Sequence, residues 1–400
     1  MRTRSLLIVG LLLVVVLPAS AQEKPVPTEL PPLLPVPPGT VPPVAGPRGP
    51  SGEYDPGDFY LPERSPEGPR KPAACGPDGR FWIAPALELV GTKSAATPAL
   101  VRFGSPTGPA VFGDNPIAAP LRAGLSIASG LWLNEERTYG VDSAFYFVSG
   151  VGSESFLVSN GSGLFLPTAS GAFPLADPNV GLFGAYQAGL STRFTSADVN
   201  LRNNLVCGSD VRLDSLVGYS FGRLTDDFEL YGKRLGAGGE IVRFRDDVRA
   251  RNTFHGGQLG LAGEYRLDRW FISGTGKVAF GAVFAKTELD GKFRVDGNVV
   301  PIGFYARPDV NGPRSHSQFA VLPTVGVTLG RQLGDHARLF LGYNFQFLNR
   351  VTRGPDVLDP TPAVLAANPQ TPVASAGTRR DATTSDFWVQ SLSLGMEWRY

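Results

Sequence analysis

The sequence predicts an all-β fold, an antiparallel transmembrane β-barrel of about ten strands, and three observations predict it. From Arg80 onward, stretches of 11 to 17 residues alternate apolar and polar side chains with period two. The connections between these stretches are short and long in strict alternation, as in a barrel whose successive turns fall on opposite sides of a membrane. Glycine and proline, at 49 and 36 of 400 residues, exceed a fifth of the chain where an average soluble protein has about 12%. That excess excludes a mostly helical fold. The mean hydropathy of -0.02 hides the membrane signal, because two faces of opposite character average out. With 37 Lys+Arg against 36 Asp+Glu, nothing marks the chain as a partner of nucleic acid.

Residues 1–21 read as a cleaved export signal, with Arg2 and Arg4 ahead of the unbroken apolar run Leu6 to Leu17 and small residues at Ala19-Ser20-Ala21. A twelve-residue run rises only about 18 Å as a helix, short of the ~30 Å hydrocarbon core. No later apolar stretch reaches 18 residues, so a membrane location requires a barrel. Residues 22–79 hold 17 of the 36 prolines. Proline at that density favours extended polyproline II and excludes helix and sheet. The segment is expected to be a disordered periplasmic linker, long enough to reach a periplasmic or cell-wall partner. Residues 80–400 are the expected barrel.

The ten strands are expected at 80–90, 121–133, 139–149, 190–203, 211–224, 252–266, 270–286, 317–331, 337–349 and 386–400. The clearest puts Ala337, Leu339, Leu341, Tyr343, Phe345 and Phe347 on one face, with Arg338, Asn344 and Gln346 on the other. The connections 134–138, 204–210, 267–269 and 332–336 are the short periplasmic turns. Those at 91–120, 150–189, 225–251, 287–316 and 350–385 are the long extracellular loops. Aromatic rings settle at the edge of the hydrocarbon, so Trp82, Trp270, Trp388, Trp398 and Tyr400 are the expected membrane-interface aromatics. Trp132 breaks the outward parity of its strand, which a bulge or an inward ring would explain.

The chain resembles the bacterial outer-membrane proteins of the β-barrel porin family seven type. The matching residues are Arg80-Phe81-Trp82, Asn200-Leu201-Arg202-Asn203-Asn204-Leu205 and Gly256-Gly257-Gln258-Leu259-Gly260-Leu261. They continue through Glu264-Tyr265-Arg266, Arg269-Trp270-Phe271, Gly276-Lys277-Val278-Ala279, Gly342-Tyr343 and Asp386-Phe387-Trp388 to Arg399-Tyr400. The resemblance covers residues 80–400 and implies a barrel in the bacterial outer membrane, whose lipid bilayer is the first partner.

The face opposite the apolar one should line the lumen. Its cations are Arg122, Arg202, Arg212, Arg266, Lys277, Arg338 and Arg399, and its anions are Glu88, Asp142, Asp198, Asp214, Glu264 and Glu397. Ten strands enclose little more space than eight, which side chains can fill, so these charges are expected to pair across a mostly closed interior. Cys75 and Cys207, the only cysteines, both fall on the periplasmic side, where a disulfide could form. The last strand, with Trp398 and Tyr400, is a candidate signal for the barrel assembly machinery. His255 with Asp226 and Asp227 could in principle activate water at the outer rim, but no ordering third group accompanies them, and no enzyme, cofactor or metal site is expected. The expected function is porin-like or structural, including a narrow conduit for small polar solutes. The alternative is a surface-binding or adhesion module, because residues in the long connections outnumber those in strands.

Overall fold

The computed structural model describes residues 79–400 apart from 115–116, 118–119, 160, 169–170, 307–311 and 359–382. The export signal, the Pro-rich segment and Cys75 lie outside the described residues. In chain order the strands are β1 (Phe81–Thr92), β2 (Val101–Phe103), β3 (Ala110–Phe112), β4 (Arg122–Trp132), β5 (Tyr139–Val158), β6 (Leu164–Thr168), β7 (Gly171–Ala176) and β8 (Phe183–Cys207). They continue with β9 (Val211–Leu235), β10 (Ile241–Leu267), β11 (Trp270–Val295), β12 (Asn298–Val300), β13 (Gly312–Gln332), β14 (Ala337–Val351) and β15 (Ser385–Arg399). Ten of them form an antiparallel ring in the order β10-β9-β8-β5-β4-β1-β15-β14-β13-β11, closed by β10 pairing β11. Closure leaves no unpaired edge in the hydrocarbon, the condition for a sheet to span a membrane.

The ring has an uneven height. Strands β1, β4, β14 and β15 run 11 to 15 residues, whereas β8 to β11 run 25 to 27. A tilted strand needs only about 9–11 residues to cross a bilayer, so the tall strands stand far above it. Their outward side chains mark where the membrane ends. On β10, Leu267, Tyr265, Leu261 and Leu259 give way to Arg251, Arg249 and Arg245. On β9 the change falls between Phe221 and Arg223, and on β11 between Phe284 and Lys286. Arg223 faces Thr253, and Arg251 faces Lys286, in the ladder. One continuous boundary therefore crosses the three strands, and the membrane-spanning segments lie on the side of the short turns.

This corrects the expected loops. Residues 225–235 and 241–251 are the tops of β9 and β10, and β11 runs to Val295. Period-two alternation continues there with its sense reversed, inward Phe228 and Leu230 opposing outward Asp227 and Glu229. An outward apolar face, the mark of a lipid-facing strand, is absent from that part of the chain. Two hairpin signals remain legible: Gly236 to Gly239 turns β9 into β10, and Asp296-Gly297, at φ 46° and 93°, joins β11 to β12. Both φ angles are positive, as a two-residue turn of this twist requires, and Asp-Gly tolerates that conformation.

The connections 91–120 and 150–189 are also partly strand. They contribute β2, β3, β6 and β7, which pair in the order β3-β2-β6-β7 as a separate small sheet. Leu100, Val101, Phe112, Leu164, Leu166 and Leu175 from these connections pack on Tyr186, Phe228, Phe244 and Phe293 of the tall wall. Phe244 stacks at 5.1 Å on Phe304 of the β12–β13 connection and lies 6.2 Å from Tyr186. A second apolar cluster fills the ring below. It draws Val90, Tyr146, Phe194, Leu224, Phe254, Val283, Leu322, Leu348 and Phe387 from nine of the ten ring strands, all buried.

Candidate functional site

Toward the short turns, the inner face becomes charged, and the residues there are tied into a network. Asp214, fully buried, accepts from Arg202 and Arg212 at 2.8 Å each, and Arg202 also reaches Asp142 at 3.4 Å. Lys277 holds Asp198 at 2.7 Å, while Asn200 donates to both Asp142 and Asp198. Across the lumen, Arg338 pairs with Glu264 at 2.9 Å and Glu397 at 3.8 Å, Arg266 lies 3.6 Å from Glu264, and Arg399 bonds Glu397. Eleven of the thirteen charged residues singled out in the sequence are thus ion-paired. The other two have neutral partners: Glu88 accepts from Ser126, and Arg122 donates to Thr92 Oγ1 and the Thr192 carbonyl. Removing one member of a buried pair leaves an uncompensated charge worth several kcal/mol, so these pairs lock the strands' register from inside.

Aromatic faces complete this compartment, and they correct one expectation. Trp82 does not sit at the membrane interface. It is only 8% exposed, faces inward and packs 5.2 Å from Trp132, which is inward as well. Arg212 lies 3.9 Å over Trp132 and Arg338 4.4 Å over Phe271, so the guanidinium groups gain π-face contacts along with their carboxylates. The rings bound a cavity of ≈ 280 Å³ that Arg202, Glu264, Asn344 and Arg399 also line. Trp270 and Tyr400 are exposed on the outer surface, and Trp388 and Trp398 are half-buried on it.

Between the two apolar clusters runs a buried polar belt that sequence reasoning missed. On β8, β9 and β10, respectively, Thr192, Asp226 and Asn252 each stand between an aromatic or leucine of the lower cluster, Phe194, Leu224 or Phe254, and apolar residues of the upper one. Arg353, from the chain after β14, reaches into the ring and pairs with Asp226 at 2.5 Å, while Thr192 Oγ1 donates to the same carboxylate at 2.7 Å. Asn252 exchanges two 2.8 Å bonds with the Thr352 backbone. Arg353 and Thr352 lie 100 or more residues from Asp226 and Asn252 and stand in what reads as a loop, so only the inward polarity of Asp226 and Asn252 hinted at them.

Above the belt and outside the membrane-spanning segments, Asp246 is fully buried and accepts the backbone N–H groups of Phe304, Tyr305 and Ala306 at 2.9–3.1 Å. Burial pushes its carboxyl up to about 7, although the three N–H donors favour the charged form. Desolvation therefore outweighs hydrogen bonding at a residue that pins 304–306 over the upper core.

The Asp/His combination considered at the outer rim does not assemble. His255 points outward and bonds the Tyr219 hydroxyl, whereas Asp226 points inward to Arg353. Asp227 is outward but engaged by Arg249 and Arg193, and Arg249 stands six residues along β10 from His255, about 20 Å of strand. Among the described residues, no group of three or more His, Cys, Asp or Glu is placed to hold a metal.

Among solved structures, the fold is similar to the outer membrane protease OmpT from Escherichia coli, at 12% identity, a TM-score of 0.45, and coverage of 82% of this chain and 99% of that one. It is similar to the translocator domain of the autotransporter NalP from Neisseria meningitidis, at 11% identity and a TM-score of 0.30, covering 80% and 89% of the two chains. It is also similar to the P. putida toluene transporter TodX, at 8% identity and a TM-score of 0.20, covering 81% and 91%. No curated protein sequence matches it. The family model described as "Putative beta barrel porin-7 (BBP7)" matches residues 83–400. With a closed ten-stranded ring, an apolar outer band and that match, the chain belongs to the beta barrel porin-7 family of outer-membrane barrels.

Proposed function

We propose that this barrel is a sealed outer-membrane scaffold, whose working surface is the tall extracellular wall rather than its lumen. The observation that supports the reading is the filling of the ring: side chains of nine strands meet in the lower cluster, and the inserted sheet and residues 304–306 fill the upper one. A conduit for polar solutes needs a continuous hydrated path, and two apolar clusters set across the ring oppose one. The ion pairs near the short turns fit a structural interior, since their charges are spent on one another. The wall above the membrane, with the carboxylates and guanidinium groups of β8 to β11 facing out, fits a surface-binding role. The reading is non-enzymatic, consistent with His255 and Asp226 facing opposite sides of the wall.

Planar-bilayer recordings on the purified full-length protein test the proposal. A silent barrel is expected, and reproducible conductance steps would return the function to a conduit. Two further proposals concern assembly. In the first, Cys207 forms a disulfide with Cys75 and so ties the Pro-rich segment to the turn after β8; a mobility shift on reduction that vanishes in Cys207→Ser supports it, and free thiols in the isolated protein would refute it. The closing strand β15 engages the barrel assembly machinery, and Trp398→Ala should lower the amount of heat-modifiable barrel inserted.

A further inference from the structure

The outward surface carries an unusual arrangement of charge where the apolar band ends. In the ladder, Arg251 of β10 lies directly opposite Lys286 of β11, and one pair further along Arg223 of β9 stands opposite Thr253. Directly opposed residues have Cβ atoms about 4.5–5.5 Å apart and diagonal ones about 7–8 Å, and like charges so placed repel. All three side chains are exposed, and none has a carboxylate within ion-pairing distance among the described residues. The contrast lies just above. Arg249 is paired with Asp227, Arg193 with the same carboxylate, and Arg245 with Glu229 and Asp247. Arg193, Arg245 and Arg249 are thus neutralised just above the boundary, whereas Arg243, Lys292 and Arg294, which carry no ion pair among the described residues, stand higher on the wall and away from the apolar band. On the membrane side, the next register rows bring Phe221, Phe284 and Phe319 to the surface, with the exposed His255 ring edge-on to Phe221 and Phe284 between them. Hydroxyls of Thr225, Thr253 and Ser315 stand among the three cations in those rows.

We propose that Arg223, Arg251 and Lys286 bind the headgroup of an outer-leaflet glycolipid bearing two phosphates, with its acyl chains lying on Phe221, Phe284 and Phe319. Three unneutralised cations match about two phosphate groups, since a phosphate carries −1.5 to −2 charges near neutral pH. Guanidinium groups engage phosphate through paired N–H donors, lysine acts as a point charge, and the hydroxyls supply further donors. The position selects a lipid over a dissolved anion, because the cluster sits where headgroups lie and shares its surface with the acyl-chain band. An anion there also relieves the repulsion between Arg251 and Lys286.

The test uses the full-length protein in nanodiscs and native mass spectrometry, with diphosphoryl lipid A, monophosphoryl lipid A and inorganic phosphate as probes. Diphosphoryl lipid A should bind the native protein on the order of tenfold or more tighter than it binds the triple variant Arg223→Gln, Arg251→Gln, Lys286→Gln. The monophosphoryl lipid should bind more weakly, and millimolar inorganic phosphate should not displace either lipid. A control triple, Arg243→Gln, Lys292→Gln, Arg294→Gln, removes the same charge higher on the wall and should leave binding unchanged. Equal affinity in the boundary triple overturns the site, and an equal loss in the control reduces it to general attraction. Displacement by inorganic phosphate would make it a free-anion site. If the boundary triple fails to fold, Arg251→Gln and Lys286→Gln singly should each weaken binding severalfold, and unchanged affinity in both would overturn the proposal.

Discussion

The barrel near its short turns and the wall above the membrane are built from the same strands with opposite polarity. Near the turns, β9 presents Val217 and Tyr219 outward and Arg212 and Asp214 inward. Above the membrane the same strand presents Asp227 and Glu229 outward and Phe228 and Leu230 inward. Backbone hydrogen bonding is indifferent to this change, since the β9–β10 ladder runs unbroken from Leu235 to Val211. The surroundings decide it. Lipid outside demands apolar side chains there and leaves charges to pair within, whereas water outside returns the apolar side chains to the interior. The upper half is a water-soluble β-fold continuous with a membrane barrel, and its inserted sheet supplies the second layer that the tall half-wall lacks.

Substitutions in the two halves should therefore fail differently. The largest effect is expected at Asp214, where Asp214→Ala strands Arg202 and Arg212 without their buried carboxylate and should cost about 3–5 kcal/mol. The whole barrel should lose heat-modifiability at a lower temperature. Phe244→Ala removes a ring stacked between Phe293 and Phe304 and should cost a similar ~3–5 kcal/mol. Its damage should be confined above the membrane, read as faster hydrogen exchange in the tops of β9 and β10 with the membrane ring unchanged. Equal loss in both halves would show that they melt as one unit.

Asp246 sharpens the comparison through pH. Its folded carboxyl, at about 7, lies above the unfolded value near 3.9. The native state therefore binds the proton more tightly, and this group's contribution to the upper core is largest below about pH 4 and declines as pH rises through about 7. Exchange of the 304–306 amides should accelerate between pH 5 and 8. Asp246→Asn, which keeps one acceptor oxygen and no charge, should flatten that profile. Asp246→Ala should cost roughly 3 kcal/mol locally, for three buried N–H donors left unmet. The smallest effect is expected at Arg249→Gln, because an exposed pair contributes about 0–1 kcal/mol. A melting point lowered well beyond that would mean the outer charges carry structure.

Ring strands were legible because a lipid-facing strand advertises itself, as Leu339, Leu341 and Tyr343 do against Arg338 and Asn344. The tops of β9 and β10 were not, because their outward residues are the charged ones expected of loops. Lumen charges could be identified by parity, but their partners could not: Arg338 meets Glu264 across 74 residues, which only closure of the ring brings together. Trp82 illustrates the limit of aromatic belts as a guide. It stands at the right height for an interface residue, yet its parity places it with Arg202 and Trp132 inside. The polar belt around Asp226 depends on Arg353 entering the ring, which local periodicity does not encode.

The central claim is that the wall reverses its polarity at one boundary, and spin-label accessibility along the outward positions of β11 tests it most directly. Labels placed singly at Ile272, Val278, Phe280, Phe284, Lys286, Glu288, Asp290 and Lys292 in the reconstituted protein would be scored for relaxation by oxygen, which concentrates in hydrocarbon, and by a water-soluble nickel chelate. The account predicts oxygen-dominated relaxation through Phe284 and chelate-dominated relaxation from Lys286 onward, with the crossover between those two positions. Hydrocarbon character persisting to Lys292, or chelate access already at Val278, would contradict it.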